Sequence, residues 1–158
     1  RWASCPGHGL GGGLQLALAC DIRVATVDAN LALPAINEGL IPGLGTSRLA
    51  RYIGLGRAKR LILSGDAVSG AEALEIGLVD YLVSAADMEL EFENLIEIFM
   101  AGNSEGARLS KQALGQCYDL GYQAFLEHYT GLQAQALRST DFKEAMTAYR
   151  ANRKPNGG

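Results

Sequence analysis

Gly7-His8-Gly9-Leu10-Gly11-Gly12-Gly13-Leu14-Gln15-Leu16-Ala17-Leu18-Ala19-Cys20, residues 7–20, decides how the rest of the chain is read. Its first seven positions hold five glycines, and an apolar run follows. Glycines at this density permit positive φ and a close approach of backbone to a ligand. They stop where an apolar helix begins, so unpaired N–H groups of the helix start point into the space the glycines leave open. Such a place suits an anion or the oxygen of a polarised carbonyl. Outward from it lie a strand-like Asp21-Ile22-Arg23-Val24-Ala25, then Leu31-Ala32-Leu33-Pro34, then the turn-rich Glu38-Gly39-Leu40-Ile41-Pro42-Gly43.

The chain has 158 residues, enough for one domain with a real core. Apolar residues make up 48% and charged residues 20%, a globular rather than disordered balance. A formal net charge of −3 gives no basic bias, so no nucleic-acid partner is expected. Apolar runs are too short to span a bilayer, so no membrane partner is expected either. Cys5, Cys20 and Cys117 are widely spaced and form no Cys-x-x-Cys pair, so no metal site is expected. A reducing compartment follows, the cytoplasm first and the mitochondrion as alternative. The chain opens at Arg1-Trp2, without a Met and close to its most specialised stretch, so a further N-terminal part is expected.

Periodicity predicts a strand end in residues 1–6 and a helix over 14–20 that is apolar on every side except at Gln15. A helix apolar all round is buried, so Gln15 is expected in a dry place, in need of a partner. Strands are predicted over 21–26, 31–33 and 78–83, with a turn at Val27-Asp28-Ala29-Asn30. Thr46 or Ser47 is the expected cap of a helix ending at Gly54, and a second helix runs over 57–64 to Gly65. Ser69-Gly70-Ala71-Glu72 reads as a capping box, and Gly77 ends that helix. Beyond it every element is helical: an acidic amphipathic helix over 88–100, two helices over 105–120 and 123–138, and a last one from Asp141 capped by Ser139 or Thr140. The expected fold class is α/β, with a mixed region over 1–86 and an all-helical region over 87–158.

Gly7-x-Gly9-x-x-Gly12 matches the dinucleotide pattern G-x-G-x-x-G, which alone is weak. Asp28 falls in the turn rather than at the end of a second strand, and Cys5-Pro6 precedes the loop. Purely structural glycines are the other plain alternative.

Taken whole, residues 7–25 resemble the enoyl-CoA hydratase/isomerase (crotonase) superfamily. Gly39-Leu40-Ile41-Pro42-Gly43, Arg48-Leu49, Ala58, Gly65, Ala73 and Gly77-Leu78-Val79-Asp80 follow in the same order. The resemblance runs from Gly7 to Pro155. It implies the later turns of a crotonase-type ββα spiral followed by a helical oligomerisation region, with the early turns and the other half of the oxyanion hole outside this chain. It implies an acyl-CoA substrate, no cofactor beyond the coenzyme A of that substrate, and a homotrimer or hexamer for the complete protein.

Residue by residue, Gly12 matches the oxyanion-hole donor, whose N–H meets the thioester oxygen as it gains enolate charge. Gly11, Ala35, Pro42 and Gly43 fall at substrate-lining positions. Family hydratases carry a glutamate three residues after the donor glycine, and this chain has Gln15. They carry a second after the proline, and this chain has Ala35. Hydration needs a base for water and an acid for the α-carbon. An amide orients groups but does not exchange protons usefully. An ordinary two-glutamate hydratase is therefore disfavoured, and a non-catalytic acyl-CoA-binding or assembly subunit is the rival. Glu38 is the nearby carboxylate: with Pro34 opening a short turn, residues 35 and 38 share a face. Gln15 within Gly-Gly-Gly-x-Gln also resembles the oxygenase-like, cofactor-independent branch of the superfamily. His8 is read as a loop histidine meeting backbone, His128 as packing, and Cys20 as a core side chain within the first helix. Arg150, Arg153 and Lys154 are solvated basic residues, with coenzyme A phosphates as the alternative reading.

Overall fold

The computed structural model describes residues 1–102 and 104–153. Lys154 and Pro155 lie outside the described residues. The chain divides into two compact units, Arg1–Glu93 and Asn94 onward.

In the first unit, strands β1 (Trp2–Cys5), β3 (Ile22–Thr26) and β6 (Tyr81–Val83) form one parallel sheet in the order β1-β3-β6. Strands β2 (His8–Leu10), β4 (Asn30–Ala32) and β5 (Val68–Ser69) form the second, with β2 parallel and β5 antiparallel to β4. Between strands stand helices α1 (Gly12–Ala17), α2 (Gly45–Ile53), α3 (Leu55–Ser64) and α4 (Gly70–Glu75), with a 3-10 turn at Pro34–Glu38. The run β1-β2-α1-β3 returns to lie parallel to its first strand, as a crossover built on a helix must. Leu14, Leu18, Leu31, Leu49 and Leu78 fill the core between these elements. Helix α5 (Met88–Met100) carries Phe92, whose ring meets Trp2 edge-on at 5.9 Å.

The second unit packs α6 (Ser104–Gln116), α7 (Tyr122–Arg138) and α8 (Thr140–Arg150) around Leu109, Leu132 and Ala148. Ser139 is the cap of α8, accepting the Phe142 N–H at 3.0 Å. Asp141 of α8 accepts the Glu105 N–H at 3.1 Å and so closes the start of α6. Arg108 bonds the Glu105 carboxylate and holds it below its ordinary range.

Several boundaries depart from the sequence reading. His8 sits in a strand rather than a loop, because residues 8–10 pair in parallel with 30–32. Thr46 and Ser47 cap nothing: α2 begins at Gly45, after Leu44 has already turned helical, with no side-chain cap. Helix α3 starts at Leu55, directly after Gly54. Val68–Ser69 is a strand that two residues could not announce. Residues 78–80 lie outside any strand, leaving only 81–83 as strand. The capping box is half made. Ser69 accepts the Glu72 N–H at 3.2 Å, but the Glu72 carboxylate goes to Arg60 instead. Cys20 lies past the end of α1 and is half-buried, its carbonyl accepting from Arg23. All three thiols are free.

One charged side chain is buried in this unit. Arg23, 2% exposed, donates from Nε to the Leu78 carbonyl at 2.7 Å and from Nη1 to the Cys20 carbonyl at 3.2 Å. Its Nη2 reaches Asp80 Oδ2 at 3.0 Å, and its guanidinium carbon lies 3.9 Å from the Tyr52 ring centre. Removing one member of a buried pair costs about 3–5 kcal/mol. Asp80 is 32% exposed, which moves the expectation toward the lower end. Arg23→Leu should therefore lower the urea-unfolding free energy by about 3 kcal/mol, and Arg23→Lys should restore little of it, since an ammonium cannot make the forked contacts.

Burial also sets the thiols apart. It pushes the Cys5 thiol above the ordinary range, whereas Cys117 is exposed. Titration with an aromatic disulfide at pH 8 should label Cys117 within the mixing phase and Cys5 only on unfolding.

Candidate active site

The site is built where the second sheet hands the chain to α1. Leu10 of β2 stands opposite Ala32 of β4. The next residue continues the ladder, the Gly11 N–H donating to the Ala32 carbonyl at 3.0 Å. Gly11 then turns at φ 54 and ψ −112, a conformation that side-chain-bearing residues avoid. That turn takes the chain out of the sheet and into the helix. The first α1 amide with an acceptor in the helix is Gln15, bonded to the Gly11 carbonyl at 3.1 Å. The amides of Gly12, Gly13 and Leu14 precede it, as the first N–H groups of any helix must. Among the described residues the Gly12 N–H meets no acceptor, and Gly12 and Gly13 are exposed. Two neighbouring amides are thus divided, Gly11 to the ladder and Gly12 to the open side.

Helix α1 is shorter and wetter than expected. It ends at Ala17, where Ala19 and Cys20 close tighter turns onto Leu16 and Ala17. Leu16 is 71% exposed and Gln15 is half-buried, so Gln15 is not in a dry place. What Gln15 touches is the turn from Pro42 to Gly45. A β-carbon on Gly45 would stand 2.9 Å from Gln15 Cγ, and one on Gly43 3.0 Å from Gln15 Oε1. Leu33 Cδ1 lies 3.5 Å from the same Gly45 position. Among the described residues the Gln15 amide makes no hydrogen bond, so its donor and acceptor capacity is free for a ligand.

Ala35 and Glu38 belong to the 3-10 turn opened by Pro34. With three residues per turn, positions 35 and 38 lie one above the other. Ala35 is half-buried and Glu38 exposed. Gly39 ends the turn at φ 70, its N–H meeting the Ile36 carbonyl at 3.1 Å, and the Leu40 N–H meets the Ala35 carbonyl at 2.9 Å. Pro42 is buried, and Gly43 takes φ 51. The backbone therefore gathers Gly11, Gly12, Gln15 and Gly43 at one place. Ala35 follows three residues after the Ala32 carbonyl that anchors Gly11. His8 is exposed on β2, while His128 lies on α7 in the second unit. Arg153 pairs with Glu144 at 2.8 Å.

Chemically the place offers a backbone donor, a neutral amide and no carboxylate at position 15 or 35. It can hold a carbonyl oxygen and orient a polar group. Proton transfer would fall to Glu38 or to another residue. Three residues that the sequence reading gave no role meet this region: Gly45 packs against Gln15, and Arg23 and Tyr52 both donate to the Cys20 carbonyl just past α1. Arg23 had a signal, a charge flanked by Ile22 and Val24 within a strand, and Asp80 closes the Gly77-Leu78-Val79-Asp80 match. Gly45 had none beyond its place after Pro42-Gly43.

Residues 3–157 match the protein family described as enoyl-CoA hydratase/isomerase. A probable enoyl-CoA hydratase of Bacillus subtilis is 44% identical over 161 aligned residues, covering 97% of this chain and 60% of that protein. A short-chain-enoyl-CoA hydratase of Clostridium acetobutylicum is 33% identical, covering 98% of this chain and 60% of that protein. The crystal structure of an enoyl-CoA hydratase from Bacillus anthracis superposes with a TM-score of 0.89 at 34% identity, covering 95% of this chain and 58% of that one. The chain thus spans about 60% of the length of the curated relatives it matches.

The glycines are separable by experiment. A β-carbon would meet nothing within 4 Å at Gly11, Gly12 or Gly13. Only Gly11 has positive φ among the three. Gly11→Ala should lower stability by about 1–3 kcal/mol, the usual cost of a strained backbone. Gly12→Ala and Gly13→Ala should leave the melting temperature unchanged or slightly higher. Thermal unfolding of the three variants checks the order.

Proposed function

The chain belongs to the enoyl-CoA hydratase/isomerase family, and from that premise we propose that it acts on an acyl-CoA thioester by stabilising the enolate form of the substrate. In this reading the Gly12 N–H meets the thioester oxygen, Gln15 orients water or a polar group of the substrate, and Gly11, Ala35, Pro42 and Gly43 line the acyl end. The observation that carries it is the division of amides at Gly11 and Gly12: the ladder takes one and leaves the next free of acceptors. A preorganised donor of this kind is worth about 2.7–4 kcal/mol of barrier.

Gln15 and Ala35 turn the proposal away from two-glutamate hydration. An enolate also serves isomerisation, decarboxylation, C–C cleavage and oxygenation, and an oxyanion hole serves thioester hydrolysis. In this reading Glu38, on the face of Ala35, moves the proton. The same two substitutions favour a second reading, an acyl-CoA-binding or assembly subunit without turnover. The coenzyme A of the substrate is the only cofactor proposed. Among the described residues no helix is long and apolar enough to cross a membrane.

A panel of acyl-CoAs followed by coenzyme A release and ultraviolet absorbance separates the readings. Turnover of at least one thioester without crotonyl-CoA hydration supports the enolate reading. Binding without turnover supports the subunit reading. For crotonyl-CoA hydration, Gln15→Glu and Ala35→Glu should each add little. Together they should exceed the sum of the singles, since catalytic pairs are strongly non-additive. A parent chain hydrating as fast as the double variant would show that the missing glutamates do not decide the chemistry.

The helical unit supports a proposal of self-association. Tyr122 is 81% and Tyr149 80% exposed, and Leu114 and Tyr118 are exposed on the same unit. For the complete protein, a homotrimer or hexamer should appear by light scattering. A monodisperse monomer at high concentration would contradict it.

A further inference from the structure

The contact between Gln15 and the Pro42–Gly45 turn assigns a role to a residue so far only described. We propose that Gly45 is the positioning residue of the site: its bare backbone forms the ledge on which the Gln15 side chain lies, and so sets where the amide points. This rests on the reading of Gln15 as a ligand-facing group, and the test below keeps the two apart.

Three observations carry it. First, the contact is close and directed. The β-carbon direction of Gly45 runs to Gln15 Cγ at 2.9 Å, and that of Gly43 to Gln15 Oε1 at 3.0 Å. Stem and amide oxygen therefore lie along one backbone turn. Second, the turn is closed by its own hydrogen bonds. The Gly45 N–H donates to the Pro42 carbonyl at 3.0 Å, and the Thr46 N–H to the Gly43 carbonyl at 3.2 Å. Gly45 is buried, with Leu33 Cδ1 3.5 Å from its β-carbon position on the other side. A methyl group there must displace Gln15. Third, among the described residues no hydrogen bond holds the amide, which leaves packing on the ledge to aim it.

Gly45 has an ordinary negative φ and begins α2, where alanine is the better helix former. Backbone strain therefore gives no reason for glycine at this position, whereas Gly43, at φ 51, has both reasons. This makes the prediction signed. Gly45→Ala should lower the melting temperature by several degrees. Adding Gln15→Ala, which removes Cγ, should return it to the Gln15→Ala value or above. A glycine needed for the turn itself would show no such rescue.

The functional readout is a double-mutant cycle on crotonyl-CoA affinity by calorimetry. Gly45→Ala should weaken binding about tenfold in the parent, within the coupling seen between contacting residues. It should change binding less than about twofold in the Gln15→Ala background. The side-chain amide resonance of Gln15, assigned by its loss in Gln15→Ala, should move in Gly45→Ala. Additive losses in stability and affinity, with that resonance unmoved, would overturn the proposal. Should Gln15→Ala leave affinity unchanged, the ligand-facing reading of Gln15 falls, and the rescue and the amide resonance still decide whether Gly45 aims it. Should Gly45→Ala fail to fold, a folded double variant still supports the proposal through the same rescue, and an unfolded one overturns it.

Discussion

A guanidinium closed off from water must have its charge and its donors satisfied by the protein. In this chain Arg23 imposes that constraint on the first unit. One side chain joins the Leu78 carbonyl, the Cys20 carbonyl, the Asp80 carboxylate and the Tyr52 ring. Those partners come from the segment before β6, the turn after α1, and α2. The backbone repeats the link, Asp80 accepting the Arg23 N–H at 2.7 Å and donating its own N–H to the Arg23 carbonyl at 2.8 Å. A forked, planar donor set suits this task where an ammonium would not. Desolvation sets a large cost against such a pair, which its bonds to Leu78, Cys20 and Asp80 offset.

The consequence for the site is geometric. The Cys20 carbonyl accepts from Arg23 and from the Tyr52 hydroxyl, each at 3.2 Å, which fixes the chain just past the end of α1. The opposite end is fixed by the Gly11 N–H on Ala32. A helix of six residues has little stability of its own, so these two anchors hold it, and with it the direction of the Gly12 amide. Gln15 then depends on a third contact, the ledge of Gly43 and Gly45. The Gln15 side chain thus rests on backbone, while the helix that carries it is anchored by Gly11 at one end and by Arg23 and Tyr52 at the other.

Much of this was legible in the sequence, and the limits have physical reasons. The glycine run, the strand at residues 22–26, the helix stops at Gly54 and Gly65 and the Ser69 cap are local matters of φ, capping and periodicity, and local chemistry announces them. The α/β first part and helical second part follow from the same signals. What failed was decided by distant partners. Leu14 to Cys20 reads as buried all round, yet Leu16 is exposed, because a short helix at a sheet edge meets core on one side only. His8 reads as loop because pairing with Asn30 cannot be seen from a glycine-rich string. Glu72 reads as the second half of a capping box, but Arg60, twelve residues earlier, takes its carboxylate. Arg23 and Gly45 matter through contacts across the chain, for which spacing holds little record.

The proposed function turns on the Gly12 N–H donating to the oxygen of a thioester enolate. Acetoacetyl-CoA tests it most directly, because its enolate absorbs in the near ultraviolet and needs no turnover to be seen. Titrated into isotopically labelled protein, it should raise the enolate band and shift the Gly12 amide resonance downfield along one saturable curve, with Gly11 nearly still because its N–H is already bonded to Ala32. An enolate band that saturates while the Gly12 amide stays unmoved, or saturable binding with no enolate band, would contradict the account.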